Sequence, residues 1–301
     1  MLDLRPPSVR YWALGVGAAV VACAILLAYL LGPWRDAYLE QKRAQRPVSP
    51  MSQFVPEGVT GRQNLAYGDD DRETLDVWFP ADLAATEALP VIVWVHGGGW
   101  IGGSKDDIAP YAQILASRGF TTIGVNYSLA PGERYPRQVQ QANTALDFVT
   151  RRAGELHVDP ARILLAGDSG GAHIAAQLAA GITDPATADE LELVPAVQPQ
   201  QVAGLLLACG AFDLRALVDD VGGVVEQYVD AYLGTTLLDS LLGKASVNRG
   251  VTDAFPATWL TGGNADPLTP QVKAFAATLQ DKGVDVETLF WPAKHSPPLG
   301  S

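Results

Sequence analysis

The stretch from Ile163 to Ala180 constrains this chain more than any other. A short β-like apolar run, Ile163 to Ala166, drives into Gly167-Asp168-Ser169-Gly170-Gly171, and a helical pattern follows from Ala172 to Ala180. That is strand, tight turn, helix, with a serine at the apex. Gly167-x-Ser169-x-Gly171 is what a strained nucleophile elbow requires. Glycines on both flanks let strand and helix approach closely, and the helix N-terminus under the serine favours developing negative charge. The pattern alone is common in loops. It gains meaning only if an oxyanion-binding loop and a base accompany it.

A loop of the first kind is present. Pro90 to His96 is a continuous apolar, β-branched run, the signature of a strand buried on both faces of a parallel sheet. Directly after it stands His96-Gly97-Gly98-Gly99-Trp100. Three glycines leave backbone N–H groups free to turn toward a ligand, and acyl transfer needs two or three such donors around a tetrahedral oxyanion. A phosphate loop would carry a Gly-Lys-Ser/Thr ending or Gly-x-Gly-x-x-Gly spacing, and this run has neither.

A serine nucleophile also needs a base, and the base an orienting carboxylate. The chain has four histidines. His96 precedes the glycine run and is expected to orient it. His157 lies in a polar turn and is expected to be exposed. His173 sits one turn below Ser169 on the same helix, pointing the wrong way. His295, just after the last predicted strand, remains. For the carboxylate, Gly262-Gly-Asn-Ala-Asp266-Pro-Leu268 supplies Asp266 in the loop leaving the preceding strand. Asp213 and Asp253 are weaker candidates because neither occupies that loop.

The rest of the domain alternates strands and helices. Strands are expected at Leu75–Phe79 (with Asn64–Tyr67 a possible partner), Thr121–Tyr127, Val202–Ala208, Ala257–Thr261 and Val284–Trp291. Helices are expected at Asp106–Arg118, at Arg137–Leu156, and from a serine or threonine cap at Thr269-Pro270 to Gly283. This is an α/β fold with a mostly parallel central sheet, helices on both faces and right-handed crossovers. Ligand chemistry in such sheets collects at the carboxyl ends of the strands, where Gly97–Gly99, Ser169, Asp266 and His295 all fall, in the chain order Ser, Asp, His that this fold uses.

These residues resemble the α/β-hydrolase superfamily, and within it the hormone-sensitive-lipase-like serine esterases, or carboxylesterases. The resemblance rests on His96-Gly-Gly-Gly-Trp100, Asn126-Tyr-Ser-Leu-Ala-Pro131, Gly167-Asp-Ser-Gly-Gly171 and Asp266-Pro-Leu268, and covers residues 60 to 295. It implies an oxyanion hole from the amides of Gly98, Gly99 and Gly170. It implies cleavage of carboxylic esters of short to medium acyl chain through an acyl-enzyme, with no cofactor and no metal. It also implies a cap over the site, supplied by residues 35–60 and 212–255. Two departures stand out: Ser128, where the family commonly has arginine, and a sequence that stops six residues after His295.

The N-terminal part is different in kind. Tyr11 to Trp34 carries no charged residue, and its core, Ala13 to Leu31, matches the roughly 20 residues a membrane-spanning helix needs. Trp12, Tyr29 and Trp34 lie near its ends, as interfacial aromatics do. The expected organisation is a tail and transmembrane anchor over 1–34, a linker or cap-approach segment over 35–60, and a catalytic domain over 61–301 in which 212–255 is a possible cap insertion. The apolar residues of that insertion, Val224 to Leu242, suit one or two amphipathic helices. The chain is thus expected at a membrane as a single-pass protein, with the side of the catalytic domain left open.

A net charge of −12, without a basic cluster, excludes nucleic acid as a partner. Cys23 and Cys209 fit neither a disulfide nor a zinc pattern. The expected partner is a small-molecule ester or lipid-like substrate; the oligomeric state is open. A non-catalytic binding module on a hydrolase scaffold, or an amidase, peptidase or sugar deacetylase with the same triad, are the alternative readings.

Overall fold

A computed structural model describes residues 49–221, 223–234 and 238–291. The expected membrane span, 11–34, and His295 lie outside these residues. Among the described residues no helix is long and apolar enough to cross a membrane. The chain divides after Pro50, and Met51–Ser301 is the unit that holds the sheet.

Eight strands among the described residues form one sheet: β1 Val59–Ala66, β2 Thr74–Pro80, β3 Leu89–Val95, β4 Thr121–Val125, β5 Val158–Asp168, β6 Val202–Ala208, β7 Thr258–Gly262 and β8 Val286–Phe290. Their order is β1-β2-β4-β3-β5-β6-β7-β8. β1 pairs antiparallel with β2, and β2 with β4; every later pair is parallel. The expected partner of the Leu75 strand is in place, with Leu65 opposite Leu75. β1 opens at Val59, so the last residues of the expected linker belong to the sheet.

Parallel strands need covered crossovers, and five helices supply most of that cover: α1 Lys105–Ala116, α2 Arg137–Arg151, α3 Gly170–Thr183, a short α4 Pro185–Glu190, and, skipping the segment between β6 and β7, a helix at Thr269–Asp281. α3 is buried from Gly170 to Ile182. Its run Ala172-His-Ile-Ala-Ala-Gln-Leu-Ala-Ala is apolar almost all round, as a helix enclosed by neighbours must be. α1 opens with a capping box, the Ser104 N–H bonded to Asp107 Oδ2 (2.8 Å) and the Asp106 N–H to Ser104 Oγ (3.2 Å).

Among the described residues, three helices lie between β6 and β7, where the apolar spacing suggested one or two: α5 Leu214–Val221, α6 Gly223–Leu233 and α7 Leu238–Ala245. The helix at Thr269–Asp281 is therefore α8. Two other expectations are corrected. α2 stops at Arg151 rather than Leu156, because Leu156 turns back into the core, fully buried. Thr269 is the first helical residue of α8 rather than its cap; its hydroxyl donates to the Gly263 carbonyl (2.6 Å), which fixes the preceding loop instead.

Register brings the strand ends to one edge. Val95 lies opposite Gly167, Asp168 opposite Ala208, Ala208 opposite Thr261, and Gly262 opposite Phe290. The loops after β3, β5, β6 and β7 all leave from that edge, and β8 ends there.

Candidate active site

Ser169 has φ 50° and ψ −122°, a left-handed conformation for a residue with a side chain. Such strain persists where the surroundings over-determine it. Here the Ser169 N–H donates to the Ala208 carbonyl (2.8 Å), and the Ser169 carbonyl accepts the His173 N–H (3.2 Å). The flanking glycines are sterically required. A Cβ on Gly167 would lie 2.5 Å from the Gly171 carbonyl carbon, and one on Gly171 would lie 2.1 Å from the Val95 carbonyl oxygen. The serine is half-buried and reachable from solvent.

The glycine run packs against this elbow. Gly97 has no room for a side chain: a Cβ would stand 2.3 Å from Asp168 Oδ2. The Gly97 N–H donates to the Asp168 carboxylate, whose Oδ1 accepts Trp94 Nε1–H (2.9 Å). Burial raises the Asp168 pKa above the usual carboxylate value, and these donors oppose the rise. Asp168 thus ties the glycine loop to the nucleophile elbow, a role invisible in the sequence because it depends on β3 lying beside β5. Gly98 (φ 115°) and Gly99 (φ 58°) turn the chain, and the Gly98 carbonyl accepts the N–H groups of Ile101 (3.2 Å) and Gly102 (3.0 Å). Gly98 is exposed, Gly99 half-buried and Gly170 buried. A Cβ on Gly170 would meet Trp100 N at 3.2 Å and Nε1 at 3.3 Å, so the indole lies directly on the start of α3.

His96 is buried, as expected of a loop-orienting residue. Its Nδ1 lies 2.7 Å from the Gly97 carbonyl oxygen, and its ring stacks on Tyr127 at 4.4 Å. His157 is half-buried rather than exposed, because its ring packs on Phe79 (4.7 Å) and its Nδ1 meets the Glu87 carbonyl (2.9 Å). His173 is fully buried with Nε2 on the Ala245 carbonyl (2.7 Å); burial lowers its pKa to about 4, against that bond.

Asp266 stands in the loop leaving β7, half-buried, its Oδ1 accepting the Leu268 N–H (2.8 Å). Sequence reasoning missed its neighbour. Cys209, at the end of β6 with φ 52°, holds its thiol against the Asp266 carboxylate, and burial together with that carboxylate pushes the thiol up to about 11. The signal was positional: Cys209 follows β6, the strand next to β7. The weaker acidic candidates have other work or none. Asp213 caps α5, accepting from the N–H groups of Arg215 (3.1 Å) and Ala216 (3.0 Å), and Asp253 is exposed.

Ser128 also finds its reason. It is buried, its N–H on Gln141 Oε1 (2.8 Å) and its Oγ accepting Gln141 Nε2–H (2.7 Å). Two guanidinium groups lie nearby: Arg72 Nε–H donates to the Tyr127 carbonyl (2.8 Å), and Arg137 stands 2.9 Å from the buried Glu73 carboxylate, which Gln141 also reaches (3.1 Å).

A strained serine beside turned glycine amides, with a carboxylate two strands away on the same sheet edge, is an arrangement suited to acyl transfer. Comparison with known proteins agrees. Residues 92–295 match the family described by its alpha/beta hydrolase fold, well over half of the chain. The chain belongs to this alpha/beta hydrolase family. Among curated members, the chain is 28% identical over 237 residues to esterase LipQ of Mycobacterium tuberculosis, covering 76% of this chain and 52% of LipQ. It is 29% identical over 257 residues to carboxylesterase NlhH of the same species, covering 83% of this chain and 78% of NlhH. It therefore spans about half the length of LipQ. Esterase B from Lactobacillus rhamnosis superposes with a TM-score of 0.74 over 91% of this chain and 87% of its own; at 24% identity this bears on the fold.

Proposed function

We propose that this alpha/beta hydrolase is a serine carboxylesterase acting on esters of short to medium acyl chain. One observation carries the reading: Ser169 is held in a strained elbow that Asp168 ties to the Gly97–Gly99 loop. The esterases among its relatives support it.

Ser169 Oγ attacks the ester carbonyl while His295 takes its proton. The carbonyl oxygen, now negative, is met by the N–H groups of Gly98, Gly99 and Gly170; each such donor is worth about 2.7–4 kcal/mol of transition-state stabilisation. His295 returns the proton to the departing alcohol, leaving an acyl-enzyme. Water, activated by the same histidine, then releases the acid. Asp266 orients the imidazole and stabilises its charged form. None of these steps uses a cofactor or a metal. The charge-free run 11–34 supports a single-pass membrane anchor for the same protein.

Hydrolysis of a nitrophenyl ester series tests the reading. Ser169→Ala is expected to lower kcat/KM by at least about 10³-fold. Undiminished turnover by that variant overturns the assignment.

A further inference from the structure

The helix that faces the oxyanion loop is α6. A Cβ built on Gly99 would lie 2.9 Å from Cδ2, 3.2 Å from Cγ and 3.3 Å from Cε2 of Tyr228, so the tyrosine ring rests on the Cα of Gly99. Four residues on, and hence on the same face of the helix, Tyr232 stacks on Trp100 with ring centroids 4.6 Å apart and an interplanar angle of 7°. α6 thus lays two aromatic rings on two consecutive residues of the loop.

The two rings differ in exposure. Tyr232 is fully buried, whereas Tyr228 and Gly99 are half-buried and border solvent. The C-terminal end of α6 is fixed. The Tyr232 carbonyl accepts the Tyr135 N–H (3.0 Å), the Tyr135 ring meets Tyr232 edge-on at 5.6 Å, and Gly234 packs against Arg134. Moving α6 would break the stack on Trp100, so the helix holds the Tyr228 backbone in place beside Gly99.

We infer that Tyr228 is a specificity-determining residue that restricts branching at the carbon next to the scissile carbonyl. The inference rests on the esterase reading above. An acyl oxygen bonded to the Gly99 amide sits about 3 Å from that nitrogen. The carbon bonded to the carbonyl is then on the order of 5 Å from that nitrogen, and Tyr228 is the ring that stands over the same glycine. A linear acyl chain can leave in the plane away from Tyr228. A carbon bearing three methyl groups cannot keep all of them clear of it. The ring, not the hydroxyl, makes the contact, because the atoms nearest Gly99 are ring carbons.

The test is the ratio of kcat/KM for nitrophenyl butyrate over nitrophenyl pivalate, with the leaving group held constant. Removing the ring in Tyr228→Ala is expected to lower that ratio at least tenfold, the scale of a few methyl groups in a tight pocket. Tyr228→Leu, which keeps an apolar side chain on the helix, is expected to move it the same way, and Tyr228→Phe to hold it within about twofold of wild type. An unchanged ratio in both Tyr228→Ala and Tyr228→Leu, in protein with Ser169-dependent activity, overturns the inference alone. Wild-type protein that turns over neither ester overturns the esterase reading, and this inference with it.

Discussion

Gly97 shows how little freedom single positions have at this site. Its missing Cβ would fall 2.3 Å from Asp168 Oδ2 and 2.9 Å from the Asp168 carbonyl oxygen. Gly97→Ala must push the glycine loop off the elbow, and a shift of about 1 Å in a catalytic group costs on the order of 10²-fold in rate. The expected outcome is a kcat on nitrophenyl butyrate lowered by about that factor. Gly154→Ala, where a Cβ meets nothing within 4 Å, serves as the control with unchanged kcat. His173 makes a prediction of another kind. Its folded pKa of about 4 lies below the ordinary 6.5 because the ring is buried. The unfolded chain therefore binds the extra proton first, so the stability held above pH 6.5 falls as pH drops toward 4. The loss over that window is about 3 kcal/mol. Urea unfolding from pH 7 to 4 reads it, and His173→Asn removes about one proton from the slope; identical slopes contradict the assignment. Residue chemistry of this sort was partly legible in the sequence. The glycines at 167 and 171, and the setting aside of His173 as the base, followed from spacing along one element. The bond from Gly97 to Asp168 and the contact of Cys209 with Asp266 did not, because each joins neighbouring strands whose pairing no local pattern reveals.

At the scale of elements, the approach of α3 to β3 is what presents the serine. A Cβ on Gly171 would lie 2.1 Å from the Val95 carbonyl oxygen and 2.4 Å from that of His96, both backbone atoms that cannot rotate away. Gly171→Ala is expected to destabilise the protein by about 1–3 kcal/mol, in the manner of an overpacked core. A lower urea midpoint at constant slope measures it; a midpoint equal to wild type contradicts the packing described. Strands were the most readable elements. β3 and β6 carry long apolar runs, and β6 falls at Val202–Ala208, as its sequence predicts. The insertion between β6 and β7 was the least readable. Its apolar residues are shared among three short helices that pack on one another and on the glycine loop, so no single period runs through them. That Tyr228 and Tyr232 rest on Gly99 and Trp100 is a tertiary fact, and the sequence offers only their separation of four.

The whole molecule combines an edge of aligned strand ends with an apolar N-terminal run of its own. If 11–34 anchors the chain as proposed, the full-length protein is expected to stay with vesicles through high-salt and carbonate washes and to be released by detergent. Release by salt alone contradicts the anchor, since salt screens charge-mediated binding and leaves an inserted apolar span in place. The catalytic account makes a stricter demand, that one serine among all those in the chain be activated. Reaction of the full-length protein with a fluorophosphonate, followed by peptide mapping, measures this directly. The account predicts a single stoichiometric adduct on Ser169, absent from Ser169→Ala and formed more slowly while excess nitrophenyl butyrate is present with the probe. An adduct on another residue, or none on folded protein, contradicts it.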